Sequence, residues 1–322
     1  AMQAWDVFNG NSNITVAIVD NAVKWTHPDL ISNTYTNTAE IANNGIDDDN
    51  NGYVDDRNGW NAAENNNDAE PTQNSMDHGT QVAGVAAAVT DNATGVAAIG
   101  WNLKIIPVQC QPDGGGVSGI QSGYEGILYA AKARARIINC SWGSQGAASI
   151  TEQAVINYAW NRGCLVIASA GNLNNNTVSY PGGYNNVYCV GAVTSSDVKL
   201  GMSCFGSWVD IFAPGDNITS TIPGPSYFTN SGTSLAAPMV AGLAGLMLSR
   251  SPNMTQSNVI NCINSTAANI YTVSGNSPYA GQLGAGRIDA YAAMNCAATF
   301  SAMPPVANFF AFPRNTCPNT LI

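Results

Sequence analysis

The residues best suited to chemistry are a serine, one of two histidines, an aspartate and an asparagine, each in a short and distinctive setting. Ser234 lies in NSGTSLAAPMVAGLAGLMLSR, Asn230 to Arg250, behind a Gly-Thr turn and at the head of an apolar helical run. At a helix N-terminus the unpaired N–H groups and the positive end of the helix dipole stabilise negative charge, which is what a tetrahedral acyl intermediate develops. A hydroxyl near neutral pH still needs an adjacent base. His27 is followed by Pro28, which favours extended or turn backbone. His78 opens HGTQVAGVAAAV, where small and apolar residues at helical spacing put the imidazole at the start of a buried helix. Asp20 closes the apolar run ITVAIVD and can fix the tautomer of that ring and steady its charged form. Asn172, in ASAGN, can donate an amide N–H to an oxyanion without changing its own charge, with the Ser234 backbone N–H as a second donor.

Five apolar runs are short, β-rich and not alternating: Ile14 to Val19, Ile105 to Val108, Ile137 to Cys140, Leu165 to Ala168 and Val187 to Val193. That is the pattern of strands buried on both faces. Helical patterns near Ile120 to Ala135, Ile150 to Arg162 and Leu235 to Arg250 supply crossovers between parallel strands. The fold class expected is therefore α/β, a doubly wound parallel sheet flanked by helices. Ligands in such sheets bind beyond the carboxyl ends of the strands, where Asp20 and Asn172 both fall.

The order Asp20, His78, Ser234 is that of subtilisin among the unrelated serine-triad orders. ITVAIVD, HPDL, HGTQVAG, INCSWG, ASAGN, APG and GTSLAAP follow one another as in that family, and from Trp5 to Cys296 the chain resembles a subtilase serine protease. Three departures are local: Asn21-Ala22 after the aspartate, where Thr or Ser then Gly is usual, Gln81 in place of a second histidine, and Met239 in place of another. The resemblance implies that peptide substrates pair as a strand with Ser141-Trp142-Gly143. It also places Ser169, Ala170, Gly171 and Ser179 around the primary pocket. None of these is charged, so a bulky apolar or aromatic residue before the scissile bond is expected.

Calcium is the expected cofactor. In GIDDDNNGYVDD, Asp47, Asp49, Asn51, the Tyr53 carbonyl and Asp55 or Asp56 follow the first half of an EF-hand-type loop. Asn58 stands where the bidentate Glu would be, so a shorter loop is expected. By resemblance, a second site takes side chains from Asp29 and Asn92 and carbonyls from Thr90, Thr94 and Val96.

A chain of 322 residues, 45% hydrophobic, can bury a full-sized core. Its formal net charge of -10 argues against nucleic acid or an anionic membrane as partner. The run Leu235 to Leu248 contains Pro238 and is too short to span a bilayer. The N-terminus, AMQAWDVFNG, lacks a basic and apolar leader, so any export peptide is expected to have been removed or to lie outside this sequence. Of eight cysteines, Cys110, Cys140, Cys164 and Cys189 lie in apolar runs as expected buried thiols, and Cys262 with Cys296 is the one bridge expected. Residues 1–300 are expected to form the peptidase domain. From 301 to 322, beyond the linker signal Pro304-Pro305, VANFFAFPRNTCPNTLI resembles the start of a polycystic-kidney-disease-type β-sandwich, with Cys317 in it. The whole reads as a secreted, monomeric, calcium-stabilised serine endopeptidase that has shed an inhibitory propeptide. The alternatives are a subtilase-type transamidase or ligase, and a non-catalytic calcium-dependent adhesion module.

Overall fold

Strand residues that alternate between two apolar cores build the sheet. In the first strand Val16 and Ile18 enter one core and Ala17 and Val19 the other, so both faces are dry and the run shows no polar alternation. The computed structural model describes residues 2–115 and 119–301. Its strands are β1 (Thr15–Asp20), β2 (Trp60–Asn61), β3 (Lys104–Gln109), β4 (Ile137–Cys140), β5 (Ser144–Gln145), β6 (Leu165–Ser169), β7 (Ser179–Tyr180), β8 (Val187–Val193), β9 (Ile211–Pro214), β10 (Ile218–Ile222) and β11 (Ser226–Asn230). Its α-helices are α1 (Met2–Val7), α2 (His78–Ala87), α3 (Gly123–Lys132), α4 (Ile150–Asn161), α5 (Thr233–Arg250), α6 (Gln256–Thr266) and α7 (Ala290–Ser301).

Seven strands form one parallel sheet in the order β2-β3-β1-β4-β6-β8-β9. Because the chain leaves β1 toward β3 on one side and β4 on the other, a crevice opens at the carboxyl end of β1, where Asp20 stands. Helix α5 lies across β4, β6, β8 and β9 and also packs on α2, which is why nearly all its side chains are buried and it has no polar stripe. Helices α3 and α4 cover the opposite face.

The five expected strands are present, and the structure adds β9 beyond them at the sheet edge and the two-residue β2 at the other. Cys262 and Cys296 form a disulfide that ties α6 to α7, and Cys110, Cys140, Cys164 and Cys189 are buried free thiols, as is Cys204. The expected linker begins inside α7, which runs to Ser301. The β-sandwich reading of the tail, with Cys317, lies outside the described residues.

Candidate active site

Asp20 ends β1 with 1% of its surface exposed, and its Oδ1 accepts from the Asn21 N–H at 2.7 Å and meets His78 Nδ1 at 2.8 Å. His78 is the first residue of α2. The two elements can approach this closely because residue 79 is glycine: a Cβ there would collide with the Ala22 carbonyl and stand 2.8 Å from Asp20 Cβ. Asn21, the departure from the family pattern, tightens the joint, since its Oδ1 accepts from the Ala22 N–H at 2.7 Å and the Gly79 N–H at 2.9 Å. Burial pulls the His78 imidazole down, but the charge and hydrogen bond of Asp20, with Asp77 adding, hold it above the ordinary histidine value.

Ser234 is the second residue of α5. Pro238 sits one turn further on and has no N–H, so the Ser234 carbonyl loses the helical donor it would otherwise have. Ser141 supplies a replacement, its hydroxyl donating to that carbonyl at 2.8 Å while accepting from Asn139 Nδ2 at 2.9 Å. Asn172 follows β6, and its Oδ1 accepts from both the N–H and the hydroxyl of buried Thr233, at 2.9 and 3.0 Å. That pins the amide so that Nδ2 faces the site. A Cβ on Gly232 would stand 3.3 Å from both Asn172 Nδ2 and Ser234 Oγ, which brings the hydroxyl and the amide donor to one spot. Among the described residues no hydrogen bond joins Ser234 Oγ to the His78 ring, although the helices that carry them, α2 and α5, pack on each other. Catalytic hydrogen bonds often tighten only when substrate is bound.

Of the seven expected pocket residues, three come close to one another. Gly143, Gly171 and Ser179 converge, since Cβ atoms on the two glycines would lie 2.8 and 3.9 Å from Ser179 Oγ. Ala170 is wholly buried, and Ser141, Ser169 and Ser179 are nearly so. Trp142 is partly buried; its Nε1 donates to the Val19 carbonyl at 2.8 Å and its ring meets Tyr124 edge-on, so it braces β1. Cys204, absent from the expected set, lies behind Gly171, 3.5 Å from where a Cβ would stand.

The acidic loop gathers differently from the expected ligand order. Carboxylate oxygens of Glu40, Asp49 and Asp56 lie within 4.8 Å of one another. Asp47 instead caps the Asn51 and Gly52 N–H groups, and Asp55 caps those of Asn44 and Gly45. The Tyr53 ring packs against Trp60 and Tyr129. Asn51 and Asn37 donate side-chain N–H groups to both Asp49 and Asp56. Burial, opposed by those hydrogen bonds and one from Tyr129 and reinforced by Asp49, pushes Asp56 up to about 6. The donor set is all oxygen, and a half-turn of either amide would present a carbonyl oxygen where N–H stands, so the residues fit a hard cation such as calcium. Glu40 was not foreseen, since it lies outside the loop's own spacing.

The second expected calcium site closes on protein donors. Asp29 is fully buried and accepts from Asn92 Nδ2 at 2.7 Å, from the Val96 N–H at 2.9 Å and from the Tyr227 hydroxyl. Asn92 Oδ1 takes the Thr94 N–H, and the Thr90 hydroxyl takes the Ala98 N–H. A cation there would have to displace three donors from Asp29.

The sequence model of the Subtilase family matches residues 11–288. Thermitase of Thermoactinomyces vulgaris is 39% identical over 295 residues, covering 91% of this chain and 92% of that protein. A thermophilic serine proteinase of Bacillus sp. (strain AK1) is 39% identical over 250 residues, which is 78% of this chain but 56% of that protein's length. Among solved structures, a protease of Pseudoalteromonas arctica PAMC 21717 superposes with a TM-score of 0.69 at 26% identity, over 92% of this chain and 93% of the other. Fervidolysin of Fervidobacterium pennivorans, described as a keratinolytic enzyme related to subtilisin, gives 0.74 at 27% identity, over 92% of this chain and 44% of its own. The chain belongs to the subtilase family of serine proteases.

Proposed function

We propose that the chain is a secreted serine endopeptidase in which Ser234 is the nucleophile, His78 the general base and acid, Asp20 the orienting carboxylate and Asn172 the oxyanion donor. The observation that carries this reading is the convergence of Ser234 Oγ and the Thr233-pinned Asn172 amide at the head of α5, together with the contact between Asp20 and half-buried His78 on elements that pack against α5. Ser234 Oγ adds to the peptide carbonyl carbon and its proton passes to His78. The negative oxygen rests against Asn172 Nδ2 and the Ser234 N–H. Collapse breaks the carbon–nitrogen bond as His78 protonates the leaving amine, and water, deprotonated by the same ring, releases the acid. Calcium held by Glu40, Asp49 and Asp56 would stabilise the fold and takes no part in these steps.

Substrate would lie extended beside Ser141-Trp142-Gly143, with the side chain before the scissile bond entering between Gly143, Gly171 and Ser179. No charged side chain stands at these positions, so peptide anilides with Phe, Tyr, Leu or Met there should exceed those with Lys or Arg in kcat/KM. A preference for Lys or Arg would overturn the pocket assignment.

A further inference from the structure

Lys199 carries a buried charge for which the reaction scheme has no use. Only 4% of the residue is exposed, and among the described residues no carboxylate pairs with it. Its ammonium is caged by oxygens instead: the carbonyls of Leu200 at 3.0 Å, Gly201 at 3.4 Å and Ser203 at 3.0 Å, and Asn174 Oδ1 at 2.9 Å. The rings of Tyr279 and Phe205 close two further sides, with centroids 4.8 and 5.3 Å away. An ammonium has three donors, so four oxygens and two π faces amount to a shell for a small monovalent cation, here tethered to the chain. Burying a charge is costly unless it is fully satisfied, and this cage satisfies it by drawing two loops together.

One of those loops carries Asn172. The segment from Gly171 to Asn175 is clipped to residues 202–205 by Cys204 N–H to the Gly171 carbonyl, Asn174 N–H to the Met202 carbonyl and Phe205 N–H to the Asn175 carbonyl. Asn174 holds a left-handed φ of 50°, a conformation costly to most side chains, within this clip. Asn172 is thus gripped from two sides, by Thr233 at its side chain and by the Lys199 cage at the backbone just beyond it. We propose that Lys199 is a positioning residue for the reaction, an internal cation that locks the segment bearing Asn172 against residues 200–205. The proposal rests on the reading of Asn172 as oxyanion donor.

The test uses Lys199→Ala and Lys199→Met, assayed well below their melting temperatures, with active sites counted by a fluorophosphonate. The expected result is a fall in kcat of between about tenfold and about a hundredfold with little change in KM, the signature of a displaced catalytic group. In Lys199→Ala, propylammonium should restore part of kcat, while tetramethylammonium, which has no N–H, should not at the same ionic strength. If Lys199→Ala does not fold, Lys199→Met, which keeps the volume of the stem, supplies the split between kcat and KM. Unchanged kcat per active site with only a lower melting temperature would overturn the proposal. So would a loss of kcat in folded Lys199→Ala that ignores propylammonium or answers both salts alike. Asn172→Leu, measured in parallel, separates the two readings: if its kcat is that of the unaltered protein, the oxyanion role falls whatever the Lys199 variants do.

Discussion

At Asn172 a neutral amide is oriented by two donors from Thr233, and that orientation decides what it can do. Replacing it by leucine keeps the volume and removes the donor, so kcat should fall by ~10²–10³ with KM little changed, a magnitude carried over from the measured loss of the corresponding donor in subtilisin. Steady-state kinetics on one anilide substrate would check it. As the proposed base, His78 should set the pH dependence. Its pKa in the fold lies above the ordinary 6.5, and the neutral ring is the form that accepts a proton. Activity should therefore be complete at higher pH and be lost as pH falls through that raised value. An acid limb at or below about 6.5 would mean that the Asp20 contact does not act on the free enzyme. Asp20, His78, Ser234 and Asn172 stood out in the sequence as candidates because each sits in a short stretch whose local order suggests the role proposed for it. Thr233 and Lys199 did not, and Asn21 stood out only as a departure from the family pattern, not for its contacts. Their effects arise from approaches between residues far apart in the chain, such as the Asn21 side chain reaching Gly79.

Among the elements, α5 carries Ser234, the proposed nucleophile, and also fills the core beneath the sheet, and Pro238 is where the two tasks conflict. A proline six residues into a buried helix leaves a carbonyl without its donor, and the Ser141 hydroxyl fills that need from the loop after β4. Ser141→Ala should leave the Ser234 carbonyl unpaired in a largely dry setting, at a cost of about 1–3 kcal/mol. Thermal melting should show a drop of several degrees. An unchanged melting temperature would mean another group takes that carbonyl. The sequence reading placed Ser141 by family likeness on the pocket wall; its hydrogen bond to Ser234 became visible only once β4 and α5 were set side by side. The strands themselves were readable, since a run such as Val16 to Val19 buries both faces and so shows no alternation. Strand β9 was not among them; it ends in Pro214 and is preceded by the polar Asp210, so its apolar run is only three residues long.

At the scale of the whole molecule, a formal charge of -10 is spread over a fold whose acidic loop packs Glu40, Asp49 and Asp56 together. Like charges raise the energy of the folded state unless a cation offsets them. A ligand that binds only the folded state stabilises it by about 2.7 kcal/mol at a hundredfold excess over Kd. Chelation should therefore lower the melting temperature by several degrees, and Glu40→Gln should blunt the response to added calcium. A melting curve indifferent to chelator would leave the cluster held by Asn37 and Asn51 alone. The disulfide between Cys262 and Cys296 closes a loop with a sequence separation of 34 and anchors α7 to α6 by a separate means, so the two contributions should add.

The most direct measurement is reaction of the folded protein with a serine-directed fluorophosphonate, followed by peptide mapping and by peptidase assay of Ser234→Ala. The account predicts one adduct, on the peptide containing Ser234, complete loss of turnover as it forms, and no more than a trace of activity in the folded Ser234→Ala variant. An adduct on a different residue, or a folded Ser234→Ala variant that still hydrolyses peptides at an appreciable rate, would contradict it.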